Sequence, residues 1–181
     1  ATLRMLAQVT GAAEAAQPIL ARIAAAYRDT MALAARRPPV RVFCPIWKDP
    51  WMTINQDTFI HAMLTTCGGA NIFAPRQRQF PLAADLGQAP PLEGARVEGR
   101  DRRYPRITLE EMAALMPEVI LLPDEPYRFG EADRKDFARF PQVPAVRDRR
   151  IHVIDGKIVS WYWSRLDESL RALRELLLAG T

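Results

Sequence analysis

Apolar residues recur along this chain with two different periods. In the alanine-rich stretch from Gly11 to Arg37, Leu20, Ile23, Tyr27, Met31 and Ala34 are spaced three or four apart, which predicts one stripe of a long helix. Pro18 is tolerated only near a helix start, so the helix is expected to begin around residues 12–18, and Pro38-Pro39 end it. About 25 helical residues would span roughly 37 Å, more than covering a small sheet requires. Short β-type runs follow: Val40–Ile46, Glu118–Leu122 and Ile151–Ile154. Between them, Asp57–Cys67 carries Ile60, Met63, Leu64 and Cys67 on one helical face, with Gly68-Gly69 as its stop. Thr108-Leu109-Glu110-Glu111 has capping-box spacing and opens a helix that ends near Met116-Pro117. Glu131–Phe140 reads as a weak helix and Trp163–Leu178 as an amphipathic terminal one. From about Pro75 to Arg103 periodicity fades and proline, glycine and arginine dominate; this reads as a surface insertion with one short helix near Ala83–Leu86. Alternating strands and helices predict an α/β layered domain with a mostly parallel sheet.

Composition narrows the picture modestly. A chain of 181 residues with 49% hydrophobic and 25% charged residues can bury a sizeable core. The net charge of +4 comes mainly from arginine and reads as a solvated surface, with a nucleic-acid partner not expected. Cys44 and Cys67 read as buried free thiols in preference to a disulfide, although their pairing stays open, and there is no Cys/His cluster for zinc. No apolar run approaches a membrane span, and the chain begins at Ala1-Thr2-Leu3 without an initiator methionine, as expected of a processed protein or a fragment.

The candidate chemistry lies in the loops. Each predicted strand runs into a segment rich in aromatics or turn residues: Trp47-Lys48-Asp49-Pro50-Trp51 after the first, Pro123-Asp124-Glu125-Pro126-Tyr127 after the second, and Asp155-Gly156-Lys157 and then Trp161-Tyr162-Trp163 after the third. In open α/β sheets ligands bind beyond the carboxyl ends of the strands, so these loops are expected to converge on one mouth suited to a large, flat or apolar molecule. Core or loop packing is the competing reading for each tryptophan taken alone. Catalytic patterns are missing: there is no nucleophile elbow and no phosphate-cradling glycine loop. His61 and His152, the only histidines, read as solvent-facing or locally bonded, and Asp124-Glu125 as loop solvation.

Three blocks carry a resemblance. Arg41-Val42-Phe43 through Trp47-x-x-Pro50-x-Met52-Thr53, with Asp57-Thr58-Phe59-Ile60 and Cys67-Gly68-Gly69-x-Asn71-Ile72-Phe73, forms the first. Tyr104-Pro105-x-Ile107-Thr108-Leu109-Glu110-Glu111, ending Pro117–Leu122, forms the second. Val153-Ile154-Asp155-Gly156 with Trp161-Tyr162 and Arg165-Leu166 forms the third. In this order they resemble the periplasmic binding proteins for cobalamin, haem and iron-siderophore chelates, the helical-backbone metal receptors that feed ABC importers. The 75–103 insertion is unmatched. The resemblance implies a Rossmann-like lobe preceded by a long bridging helix. Residues 1–39 then correspond to the interlobe helix and 40–181 to the C-terminal lobe, with the N-terminal lobe absent. It implies a substrate-binding component that delivers a corrinoid, haem or siderophore to a membrane permease without chemistry, in the periplasm or anchored outside the cytoplasm. No cofactor and no direct metal ligation are expected.

On this reading Trp47, Trp51, Tyr127, Trp161 and Trp163 form the pocket wall, and Lys48 and Arg165 meet ligand carboxylates. Glu110 matches the glutamate that docks on permease arginines, against the simpler reading that it complements the helix dipole. The rival readings are a Rossmann-like enzyme acting on a nucleotide or tetrapyrrole, and a protein-interaction module whose aromatic loops form an interface. A basic nucleic-acid binder is the weakest.

Overall fold

The computed structural model describes residues 2–161 and 163–178; the side chain of Trp163 lies outside the description. Two helices come first, α1 (Thr2–Val9) and α2 (Ala13–Ala34), separated at Gly11, whose φ of +70° suits a residue without Cβ. The long helix begins within the expected 12–18 window and, at 22 residues, ends at Ala34, a few residues before Pro38-Pro39. Its buried line differs from the expected stripe: Ala16, Ala26 and Thr30 face inward, while Tyr27 and Met31 are exposed. Small residues win the interior because the terminal helix and the Gly68 turn approach closely there. A Cβ on Gly68 would already stand 3.2 Å from the Ala34 Cβ.

The predicted strand Val40–Ile46 is two strands. β1 (Val40–Phe43) joins the main sheet, and β2 (Pro45–Trp47) pairs antiparallel with β3 (Met52–Thr53) as a separate hairpin. Pro45 has no N–H to continue the ladder, and this breaks the run. α3 (Phe59–Thr66) is capped by Thr58 Oγ1, which accepts from the His61 N–H at 3.2 Å. Gly68 ends that turn at φ +86°, and β4 (Gly69–Asn71) begins at once. Three residues containing a glycine carry no strand signature, so β4 is visible only in the structure. The insertion holds α4 (Leu82–Asp85), close to where a short helix is expected, and a 3-10 turn at Gly94–Arg96.

α5 (Leu109–Ala114) has the predicted capping box: Thr108 Oγ1 accepts from the Glu111 N–H, and Glu111 Oε2 accepts from the Thr108 N–H at 2.8 Å. β5 (Val119–Pro123) follows, then a 3-10 helix over Glu131–Phe137, within the stretch read as a weak helix. α6 (Pro144–Arg147), β6 (Ile151–Ile154), α7 (Lys157–Ser160), a 3-10 turn at Trp163–Arg165 and α8 (Leu166–Leu178) complete the chain.

The four-stranded sheet has the order β4-β1-β5-β6 and is parallel throughout. β5, second from one edge, is buried along its whole length, as a strand covered on both faces should be. Alternation splits the core: Val42, Val119 and Leu121 pack toward α2, α3, α7 and α8, while Phe43, Ile120 and Leu122 pack toward Met112, Phe129 and Phe137. The resulting α/β layering is the architecture the sequence predicts. Cys44 and Cys67 are both buried and free, and burial pushes each thiol up to about 12.

Candidate ligand-binding mouth

Parallel strands send all their carboxyl ends to one edge of the sheet, so the loops after β1, β5 and β6 meet there. The β2–β3 hairpin presents Trp47 at 43% exposure, and its ring meets Tyr127 edge-on at 5.7 Å. Tyr127, half-buried, lies 4.6 Å from Phe129 between ring centres, and Trp51 stacks on Phe129 at 5.8 Å with 13° between planes. Trp51 also meets Phe137 edge-on at 5.6 Å. Trp51 thus forms the half-buried base of the cluster, and Trp47 with Tyr127 forms its open rim. Phe129 and Phe137, the buried floor, were not singled out from the sequence. Phe129, two positions after Tyr127 in the same loop, was the available signal.

The loop after β6 is locked to the loop after β5. Asp124 Oδ1 accepts from the Gly156 N–H at 2.7 Å, and Ser160 Oγ donates to Glu125 Oε1 at 3.0 Å. The paired acids read as loop solvation are therefore a clasp. Beyond it stands Trp161, 49% exposed, with Lys157 Nζ 5.4 Å above its ring. The expectation for Trp163 falls on a side chain outside the described residues.

The two cations expected to meet ligand carboxylates have protein partners. Lys48 Nζ lies 2.7 Å from Asp133 Oδ1 and 2.6 Å from Asp136 Oδ2, and only 18% of the side chain is exposed. Hydrogen bonds to both carboxylates push its pKa well up. Lys48 thus ties the hairpin to the turns at Glu131–Phe137, and its charge is engaged before any ligand arrives. Asp133 is drawn below the usual carboxylate range: burial opposes this, but the Lys48 contact and the Gly130 N–H outweigh it. Arg165 is more open, with Nε 3.4 Å from Glu168 Oε2.

Glu110 stands exposed on the first turn of α5, 3.0 Å from Arg139 Nη2, while its neighbour Glu111 is engaged in the capping box. His61 and His152 lie apart on α3 and β6, both with pKa lowered chiefly by burial. A cavity of about 1020 Å³ runs along the β6 edge away from the aromatics, lined by Arg41, Glu118, Arg147, Asp148 and His152 among others. Four of its charges pair with one another, Arg41 with Glu118 and Arg147 with Asp148, and no Phe, Tyr or Trp among the described residues lines it, so it suits a flat or apolar ligand less than the aromatic shelf does.

The sequence matches no protein-family model and no curated protein. Among solved structures it resembles the periplasmic heme-binding protein RhuT from Roseiflexus sp. RS-1, at 21% identity over 97% of this chain and 60% of that one, with a TM-score of 0.67. It also resembles a possible iron-binding periplasmic solute-binding protein from Staphylococcus epidermidis ATCC 12228, at 18% identity over 98% and 60% of the two chains, with a TM-score of 0.70. The periplasmic vitamin B12 binding protein BtuF of Vibrio cholerae matches at 18% identity over 93% and 52%, with a TM-score of 0.58. The chain therefore has the fold found in periplasmic heme-, iron- and vitamin B12-binding proteins, and spans 52% to 60% of the length of these three.

Proposed function

We propose that this chain is the backbone helix and C-terminal lobe of a solute-binding protein that captures a metal chelate outside the cytoplasm and hands it to an ABC permease without chemistry. The observation that carries the reading is the exposure of Trp47 and Trp161, with Tyr127 between their loops, at the carboxyl edge of a parallel sheet. Large aromatics are kept in solvent where they have a partner to meet. An open shelf is also what one wall of an interlobe cleft presents by itself. Two of the proteins named above bind heme and vitamin B12 and the third is a possible iron-binding protein, and their additional length would supply the opposing wall.

Residues 1–39 then form the interlobe segment and 40–181 the lobe, with Trp47, Trp51, Tyr127 and Trp161 contacting the ligand. Arg165 is retained as a rim cation, Lys48 holds the loops in place, and Glu110 exchanges Arg139 for a permease arginine on docking. An enzyme acting on a tetrapyrrole would need a base or nucleophile among these aromatics, and no observed feature favours that reading.

The test is titration of tryptophan fluorescence with cyanocobalamin, haemin and a ferric siderophore, on this chain and on one extended by an N-terminal lobe, with calorimetry to separate binding from inner-filter quenching. Saturable binding that Trp47→Ala or Trp161→Ala weakens supports the proposal. An extended chain that binds none of the three overturns it.

A further inference from the structure

Between positions 75 and 106 lie seven arginines and four acidic residues, so most of the chain's excess positive charge is in one segment. The structure places that segment beside the aromatic shelf. The Thr53 N–H donates to Pro105 O at 3.0 Å and the Ile107 N–H to Trp51 O at 3.1 Å, which zips residues 105–107 onto the hairpin that carries the tryptophans. Arg106 lies directly across from Met52 in this pairing.

Three of these arginines are drawn together without an ion pair to any carboxylate among the described residues. The Arg78 N–H donates to Arg102 O at 2.9 Å, and Arg102 Nε donates back to Arg78 O at 3.1 Å, so their backbones run side by side. The guanidinium of Arg106 is held below its usual pKa first by burial and then by repulsion from Arg78, with Asp85 opposing. Nε of Arg78 and Nε of Arg106 are buried and have no hydrogen-bond partner. Among the described residues Arg78, Arg102 and Arg106 form no ion pair. Arg103 takes Asp101 at 2.9 Å, and Asp85, fully buried, accepts from the backbone N–H groups of Gln79 and Arg106. Phe80 props the group from the side, its ring 5.1 Å from the Arg78 guanidinium and 4.8 Å from that of Arg100.

Mutually repelling cations with buried, unsatisfied donors are relieved by an oxyanion placed among them, and the planar fork of arginine suits a carboxylate. We propose that Arg78, Arg102 and Arg106 form a carboxylate-binding edge to the aromatic shelf, so that the ligand is a chelate with pendant acid groups rather than a neutral one. The ligand assignment rests on the function proposed above; the carboxylate site stands on its own geometry. The role expected of Lys48 thereby passes to cations that form no ion pair among the described residues.

Two arms test this. In the first, the thermal midpoint of this chain is measured with and without citrate, against sodium chloride of matched ionic strength, for wild type and for Arg78→Gln combined with Arg106→Gln. Citrate is expected to raise the wild-type midpoint and leave that of the variant in place. An equal shift in both proteins reports an unspecific salt effect and overturns the site. The variant without citrate should melt no lower than wild type, because it has lost a repulsion.

In the second arm haemin and its dimethyl ester, which lacks free carboxylates, are titrated into wild type and variant, each extended by an N-terminal lobe. Haemin should bind wild type about tenfold more tightly than the ester, and the variant should abolish that preference. Equal affinity for the two overturns the acidic-chelate assignment. Stabilisation by citrate with no binding of either tetrapyrrole keeps the carboxylate site and refutes a haem ligand for the proposed function.

Discussion

Gly156 is the position where one methyl group should be felt most. It follows β6, and its N–H is held by Asp124 Oδ1 at 2.7 Å. A Cβ there would collide with Glu125 Cγ and stand 2.9 Å from Glu125 N and 3.0 Å from Glu125 O. The first contact can be relieved by rotating the Glu125 side chain, at the loss of its bond from Ser160 Oγ. The other two are backbone and cannot rotate away, so the loops after β5 and β6 must separate. Backbone strain plays no part, since φ at Gly156 is −58°. Overpacking of this kind costs about 1–3 kcal/mol. Alanine returns about 0.4–1 kcal/mol by restricting the unfolded chain. Because two of the contacts are backbone, the overpacking cost falls in the upper half of its range, and the net loss for Gly156→Ala is about 1–2 kcal/mol, a fall in Tm of roughly 2–8 °C for a domain of this size. Differential scanning calorimetry at neutral pH, with a urea titration to check that the slope is unchanged, measures it. An unchanged or raised Tm would refute the close approach, and with it the clasp that sets Tyr127 and Trp161 relative to one another.

Lys48→Met should lower stability by about 1–3 kcal/mol in urea denaturation at pH 7, because Asp133 and Asp136 are left largely buried without their cation. The pH dependence follows from the same contact. The lowered pKa of Asp133 contributes stability above its unfolded value, about 3.9, which is lost as pH falls through the lower folded value. The raised pKa of Lys48 contributes below about 10.4 and is lost as pH rises through the higher folded value. Stability curves recorded below pH 4 and above pH 10 should therefore be flatter in Lys48→Met than in wild type. With thiols pushed up to about 12, Cys44 and Cys67 should resist a thiol-specific disulfide reagent at pH 8 in the native protein and react promptly in denaturant. Thr108→Ala, which removes the acceptor for the Glu111 N–H, should cost about 0.5–2 kcal/mol by the same urea assay.

Elements whose signals are local could be read directly along the chain. The capping box at Thr108 and Glu111, the Gly68 stop and the apolar runs that became β1, β5 and β6 depend on neighbours within a turn or on alternation along a strand. The gathering of Trp47, Trp51 and Tyr127 was legible for a similar reason: parallel strands send their ends to one edge, so three loops after three such runs meet. What each side chain does there depends on contacts that arise once the chain is folded. Lys48 finds its partners 85 and 88 positions away, and Gly156 is obligatory because of Glu125 in a loop that periodicity does not connect to it. β4 exists because β1 offers it a ladder, and Tyr27 and Met31 of α2 are exposed because α8 and Gly68 admit only small residues. Long-range pairing depends on which surfaces meet, and a linear pattern carries that information only where topology has already narrowed the choice.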